Sequence, residues 1–508
     1  METPRRPTSR GRGSGVLLHV SSLPGPFGIG DLGPPAFRWI EDLAKAKQSW
    51  WQILPLTPPA VGLCPYQCHS AFAGNPELIS PESLIHDGLI SETDIAHPAH
   101  DVHSFKSRLL HNAWHKFDSH PSKELAHAYE KFQSRQSQWL DDFALFMALK
   151  EVHHGKPWTD WPAELRSRQH HAIASARQSL GDRTEFHAFV QFLFFRQLDA
   201  LRRHARGHGV GIIGDVPMFI SADSADVWAN PDQFLLHRHG HPKFVAGVPP
   251  DYFSKTGQRW GNPLYNWPAM RRDGFAWWIA RIRASLGQAD RIRIDHFRGL
   301  EASWAIPAAR ATAQFGRWLR SPGRELLLAL RRDLKRLPFI AEDLGLITPA
   351  VAALRDEFHL PGMRILQFGF GSGADDPFLP HNYPRNCVAY TGTHDNDTTA
   401  GWYASLDSRQ QRRVEAYLGC GATDIAWDFI RLAWSSVADL AIAPAQDLLS
   451  LGSEARMNLP GRSTGNWKWR LDRPLPPHVI ERLADLTQLY GRFAKPTGQR
   501  DVTKCNNL

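Results

Sequence analysis

The run Arg291-Ile292-Arg293-Ile294 is short, half β-branched, and closes on Asp295-His296, a charged cluster that a buried strand tolerates only where the charges have work to do. Two later segments repeat the pattern. Phe339-Ile340-Ala341 runs into Glu342-Asp343, and Val388-Ala389-Tyr390 runs through Thr391-Gly392-Thr393 into His394-Asp395. Acids at the C-terminal ends of apolar strands, drawn from distant parts of one chain, are how a β/α barrel assembles a reactive centre. The chemistry open to such a set is sugar-bond cleavage with retention, which needs two carboxyl groups about 5 Å apart, a nucleophile and an acid/base. Arg293 precedes Asp295 by two residues, so it shares a strand face and can hold that acid negative. Glu342 follows an apolar triplet, a setting that favours the protonated acid. Asp395 could grip sugar hydroxyls and offset positive charge, with His394 beside it as donor.

Each segment alone has a plainer reading. Arg293 and Asp295 could form a structural ion pair, and Glu342-Asp343 could cap a helix N-terminus. Asp395-Asn396-Asp397-Thr398 could cap a helix or chelate a cation. Their common placement at strand ends argues for one shared site.

The elements that would position these acids recur along the chain. Strand candidates lie at Val16–His19, Trp51–Leu54, Gly211–Pro217, Arg291–Asp295, Phe339–Asp343, Met363–Phe368, Cys387–Thr391 and Leu440–Ala443, with helical stretches between them. Such alternation implies a parallel sheet, and the count favours closure. The expected fold class is α/β, a (β/α)8 TIM barrel with subdomains inserted on the C-terminal face of the strands. Residues 1–14, basic and rich in Pro, Gly and Ser, are expected to be a disordered leader, and 15–508 the catalytic barrel. Two departures are expected within it: a mostly helical insertion over about 68–208 and an aromatic, lid-like one over about 221–285. A Gly28-x-Gly30-x-x-Gly33 match sits in a Pro-rich loop before Pro34-Pro35, poor context for a dinucleotide fingerprint.

At 508 residues, with 42% hydrophobic and 22% charged, the composition is that of a globular protein. No apolar run approaches a membrane span, and no secretory h-region precedes the first strand, so a cytoplasmic protein is expected. Five cysteines, an odd number with no C-x-x-C, read as reduced structural thiols. The net charge of +8 is dispersed over apparent helix faces without interleaved aromatics, which argues against nucleic-acid binding. Nineteen tryptophans matter more, because indole faces pack on the C–H faces of sugars. His237, His239 and His241 alternate as metal ligands might, yet occupy an apparent hairpin turn, so no metal site is expected there.

Taken in order, Gly214-Asp215-Val216-Pro217, Arg293-x-Asp295-His296, Glu342 and His394-Asp395 resemble the four signature regions of the α-amylase clan. More closely, the chain resembles the amylomaltases, cytoplasmic 4-α-glucanotransferases also called disproportionating enzymes. The likeness runs from about Gly15 to the C-terminus. It includes Gly28–Gly33, Ser70–Pro76, Ala246–Phe253, Trp260–Tyr265, Thr393–Thr398 and Gly452–Asn458. The resemblance implies transfer of α-1,4-glucan segments between maltooligosaccharides without a cofactor, in a monomer or weak oligomer. It implies Asp295 as nucleophile, Glu342 as acid and then base, and Asp395 as transition-state stabiliser. Arg293, His394, Asp215 and Tyr66 would line the reacting sugar's site, with Tyr66 as a stacking platform. Trp260 and Asn466 would contact glucan, and Asp251-Tyr252-Phe253 would form part of a lid. The alternative is an α-amylase-type retaining hydrolase of the same glucans, which the catalytic residues alone do not separate from a transferase. Around Tyr66 the chain departs from the family pattern, reading Val61-Gly62-Leu63-Cys64-Pro65-Tyr66-Gln67.

Overall fold

The computed structural model describes residues 12–96, 101–250, 254–419, 421–462 and 464–493. Eight of its strands close a parallel barrel: β1 (Gly13–Leu17), β2 (Trp50–Gln52), β3 (Gly211–Val216), β6 (Arg291–Ile294), β9 (Phe339–Ala341), β10 (Gly362–Ile365), β11 (Cys387–Tyr390) and β12 (Leu440–Pro444). Neighbours follow in that sequence, and β12 pairs back onto β1. Every residue of β9, β11 and β12 is buried, as expected of parallel strands covered on both faces, and this is why they read as unbroken apolar runs. The barrel expectation therefore holds, strand by strand.

Inside the barrel, Ile213, Ile340, Met363, Ile365, Val388, Tyr390, Leu440 and Ile442 pack as one plug. Tyr390 donates to Gln52 Oε1 at 2.8 Å within that plug, so its buried hydroxyl is satisfied. The plug is the floor beneath the strand ends.

The leader differs from its expected boundary. Gly13 and Ser14 already belong to β1, and Arg12 donates to the carbonyls of Trp434 at 2.7 Å and Tyr490 at 3.1 Å. Glycine there serves packing: a Cβ on Gly15 would lie 2.4 Å from the Trp50 carbonyl oxygen. Here the end of that Gly-rich stretch is a strand packed tightly on the Trp50 backbone. Residues 1–11 lie outside the described residues.

Between β2 and β3 the chain leaves the barrel for a helical region that includes Val102–Ser119, Lys123–Val152 and Gly181–Gly207. Their facing aromatics interlock, with Phe117 stacked on Phe189 at 4.5 Å and Tyr129 edge-on to Phe189 at 5.9 Å. Between β3 and β6 lie β4 (Phe244–Val248) and β5 (Gln258–Pro263). They join β7 (Ala302–Pro307) and β8 (Arg317–Arg320) in an antiparallel sheet of order β5-β4-β7-β8. That sheet draws on residues after β6, beyond the expected insertion over 221–285, and within that range Ala276–Gln288 is a helix leading into β6. His237, His239 and His241 are exposed around a tight turn, where the His237 amide donates to the His241 carbonyl at 2.8 Å.

Candidate active site

Register places the acids. Asp215 on β3 pairs with Arg293 on β6, and Arg293 pairs with Ile340 on β9. Cross-strand partners point to one side and alternate residues repeat it, so Asp215, Arg293, Asp295, Ile340 and Glu342 all face the barrel axis. Asp343, one residue on, faces outward: it accepts from the Met363 amide at 2.7 Å and pairs with Arg355.

Arg293 is the hub. Its side chain is buried, with Nη1 donating to Asp215 Oδ2 at 2.7 Å and Nη2 standing 2.9 Å from Asp295 Oδ1. Burial works against its charge, but Asp215 and Asp295 outweigh burial and keep it protonated. Burial likewise pushes Asp215 up, while Arg293 and the Tyr66 hydroxyl, which donates to the same Oδ2 at 2.8 Å, oppose that push. Two donors on one oxygen hold Asp215 in place.

Glu342 follows β9 and is almost sealed from solvent. Its Oε2 accepts from the His296 amide at 2.6 Å and its Oε1 from the Leu344 amide at 3.1 Å. Burial, against the pull of Arg293 and with a further push from Asp295, drives its carboxyl up to about 8. A raised acid beside a carboxylate that faces a cation is the division of labour an acid/base and a nucleophile require.

Opposite stands the segment after β11. His394 is buried, its Nε2 lies 2.9 Å from the Tyr66 hydroxyl, and its ring stacks on Tyr66 at 5.4 Å. Burial lowers its basicity, which favours a neutral ring able to donate and accept. Asp395 is more open: Oδ2 stands 3.4 Å from His394 Nε2, and Oδ1 accepts from Asn458 Nδ2 at 2.6 Å. Arg456 holds the loop by donating to the Asp395 carbonyl at 2.8 Å. Burial, then the charge of Asp215, raises the Tyr66 hydroxyl well above its ordinary range, with Arg293 opposing and Asp295 and Asp395 adding to the push.

Other expected contacts fall differently. Trp260 on β5 lies edge-on to His296, ring centres 4.9 Å apart at 90°, and donates to Gln258 Oε1 at 3.1 Å. Asn466 is turned inward on its own loop, accepting from the Leu459 amide at 3.0 Å and donating to the carbonyls of Arg462 at 2.9 Å and Leu459 at 3.3 Å. These three bonds make Asn466 a brace for its own loop in this structure. Asp251, Tyr252 and Phe253 lie outside the described residues. Three neighbours had no assigned role. His296 is held at φ 49° between the two acids, and burial lowers its ring to about 4. Asn458 bonds Asp395, and Trp467 lies 5.8 Å from Tyr66 and 5.9 Å from His394.

Comparison with known proteins sharpens this picture. The family model described as 4-alpha-glucanotransferase matches residues 18–475. The chain belongs to that family. Among its curated relatives, the 4-alpha-glucanotransferase of Thermus thermophilus is 49% identical over 91% of this chain and 95% of its own length. That of Synechocystis is 48% identical over 95% and 98%. An amylomaltase structure from Streptococcus agalactiae, in complex with acarbose, superposes with a TM-score of 0.92 at 36% identity, covering 95% of this chain and all 100% of that one. The Corynebacterium glutamicum amylomaltase, at 21% identity and a TM-score of 0.73, shares the fold. Among the described residues no helix is long and apolar enough to cross a membrane.

Proposed function

We propose that this 4-alpha-glucanotransferase family member transfers α-1,4-glucan segments between maltooligosaccharides by double displacement with retention, in the cytoplasm. Asp295 attacks C1 of the donor sugar while Glu342 protonates the departing oxygen. A covalent glucosyl ester on Asp295 results. Glu342, now a carboxylate, takes the proton of an acceptor's 4-hydroxyl, which attacks C1, displaces Asp295 and restores the α-linkage. Arg293 and Asp215 hold the nucleophile in place; Asp395, braced by Asn458, faces the positive charge that develops on the sugar. Tyr66, His394 and Trp260 line the sugar path, and Asn466 braces the loop that carries Trp467.

The observation that carries the reading is the pairing of a buried Glu342, pushed up to about 8, with an Asp295 facing Arg293 at 2.9 Å. The complex of the Streptococcus agalactiae amylomaltase with acarbose supports an oligosaccharide ligand for this chain. Unpaired thiols at Cys64, Cys68 and Cys387 suit a reducing compartment.

Two measurements test it. Maltotriose should yield glucose together with a ladder of longer oligosaccharides; glucose and maltose alone would instead identify an α-amylase-type hydrolase. The Glu342→Gln variant, given maltotriosyl fluoride, should accumulate a protein mass increased by one glycosyl unit and located on Asp295. An unmodified Asp295 under those conditions excludes the covalent route.

A further inference from the structure

The helix Pro34–Lys45 packs beside the C-terminal end of Gly181–Gly207 on the far side of the barrel from the strand ends that carry the acids. Strands run up and the helices after them run down, so a site three residues before β3 and nine before β2 lies at the opposite mouth. There, Glu41 of the first helix and His204 and His208 at the end of the second offer three ligand atoms, all within 4.8 Å of one another.

We propose that Glu41, His204 and His208 form a binding site for a divalent transition-metal ion of the zinc class, separate from the glucan chemistry. Two histidines four residues apart share one helix face, the spacing by which helices present paired imidazoles to zinc. Each ring is set for ligation. His208 Nδ1 meets the His204 carbonyl at 3.0 Å, which fixes the tautomer and turns Nε2 outward, the arrangement usual for a metal-bound imidazole. His204 is held between Phe37, with ring centres 4.9 Å apart, and His208, 4.2 Å away. Its Nε2 is buried, makes no hydrogen bond, and lies 3.5 Å from Glu41 Oε1. A buried nitrogen aimed at a carboxylate it does not bond is a group that an ion between them would satisfy.

The fit requires little movement. Ligand atoms around a four-coordinate zinc, at bonds of about 2.1 Å, lie roughly 3.4 Å apart. His208 is exposed and the Glu41 side chain is 44% exposed, so both can close from separations of up to 4.8 Å by the needed shift of about 1.4 Å or less. Nearby cations are occupied elsewhere: Lys45 donates to Asp42 at 3.2 Å and Arg206 to Asp290 at 3.3 Å. Imidazole donors select zinc, nickel or copper over magnesium and calcium, and water would complete the shell. Bound metal would tie the helix after β1 to the helix before β3, so the native state gains stability by mass action.

Calorimetric titration of the untagged full-length protein with zinc chloride, with thermal unfolding in parallel, tests the site. One zinc per chain should bind with a dissociation constant of about 10 μM or tighter and raise the melting temperature by several degrees; magnesium should do neither. His208→Ala, at an exposed position, should weaken zinc at least tenfold and cancel the thermal shift while leaving maltotriose turnover unchanged. His204→Ala and Glu41→Gln should weaken it similarly, and His239→Ala, in the exposed turn, should not. Zinc binding that is undetectable at 1 mM, or equally tight in His208→Ala, overturns the proposal.

Discussion

The backbone amide of His296 donates to Glu342 Oε2 at 2.6 Å. Because His296 follows Asp295, the bond fixes the acid on β9 against the residue after the acid on β6. It also sharpens a competition at Glu342: burial drives the carboxyl up, while Arg293 and this amide pull it down, and burial prevails at about 8. The free protein therefore holds Glu342 protonated at neutral pH, as an acid must be before it donates. On this account kcat/KM for maltotriose should fall about tenfold per pH unit above pH 8. A profile with no alkaline limb before pH 10 would remove Glu342 from the acid role.

The same shift governs stability. The Glu342 carboxyl lies at 4.5 when unperturbed and about 8 in the fold, so the native state binds this proton more tightly. Its contribution is fully present below about pH 4.5 and is lost as pH rises through 8. Glu342→Gln carries no charge to bury. Its melting temperature should exceed that of the parent at pH 9 and converge with it near pH 5, by calorimetry at both values.

Arg293 serves two carboxylates with two nitrogens, Nη1 to Asp215 and Nη2 to Asp295. Lysine supplies one point charge and cannot span both. Arg293→Lys should lower kcat/KM by about 100-fold; Arg293→Ala should go further and also lose about 3–5 kcal/mol of stability, because it strands Asp215 without its buried partner. Steady-state rates and urea titration read the two effects separately. Retention of half the parent rate in Arg293→Lys would make the bidentate geometry irrelevant.

Asn458 Nδ2 donates to Asp395 Oδ1 at 2.6 Å and orients the most open of the acids. A hydrogen bond to a charged group contributes about 1.5–3 kcal/mol. Asn458→Ala should thus cost roughly 10- to 100-fold in kcat, the loss falling there rather than on KM if Asp395 acts in the transition state. Asn458→Asp should be worse, since it sets two carboxylates against each other. An effect confined to KM would recast Asp395 as a simple sugar anchor.

The barrel and its acids were legible because strand alternation is local: Asp295 and Glu342 are read off the same period that buries Ile294 and Ala341. Contacts made by irregular segments were not. Asn458 lies 63 residues from Asp395 in a stretch without helix or strand period, so nothing in the local pattern pairs them. Asn466, in Gly465-Asn466-Trp467, suits a sugar contact and a loop brace equally well, and its bonds to the Leu459 and Arg462 carbonyls were not readable from the local pattern. β7 and β8 escaped notice because half of β8 is Arg317 and Arg320, side chains that an edge strand leaves exposed. Gly15 misled by composition, since it leaves room for the Trp50 backbone.

Gln67 links the altered loop around Tyr66 to the inserted sheet: its Nε2 donates to the Trp260 carbonyl at 3.2 Å and to Asn262 Oδ1 at 2.9 Å. Trp260 in turn stands edge-on over His296, beside both acids. If the proposed ester forms on Asp295, a half-buried indole against the next residue, His296, would limit the approach of water during the wait for an acceptor. Water exclusion in that interval decides transfer against hydrolysis. Trp260→Ala should therefore release more glucose per longer product formed from maltotriose, raising the hydrolytic share several-fold while total cleavage falls less. Gln67→Ala should shift the ratio in the same direction by a smaller factor, since it loosens the indole's backbone without removing the ring. Chromatography of products with a coupled glucose assay reads both ratios. An unchanged ratio in Trp260→Ala would assign the exclusion of water to other residues of the cleft.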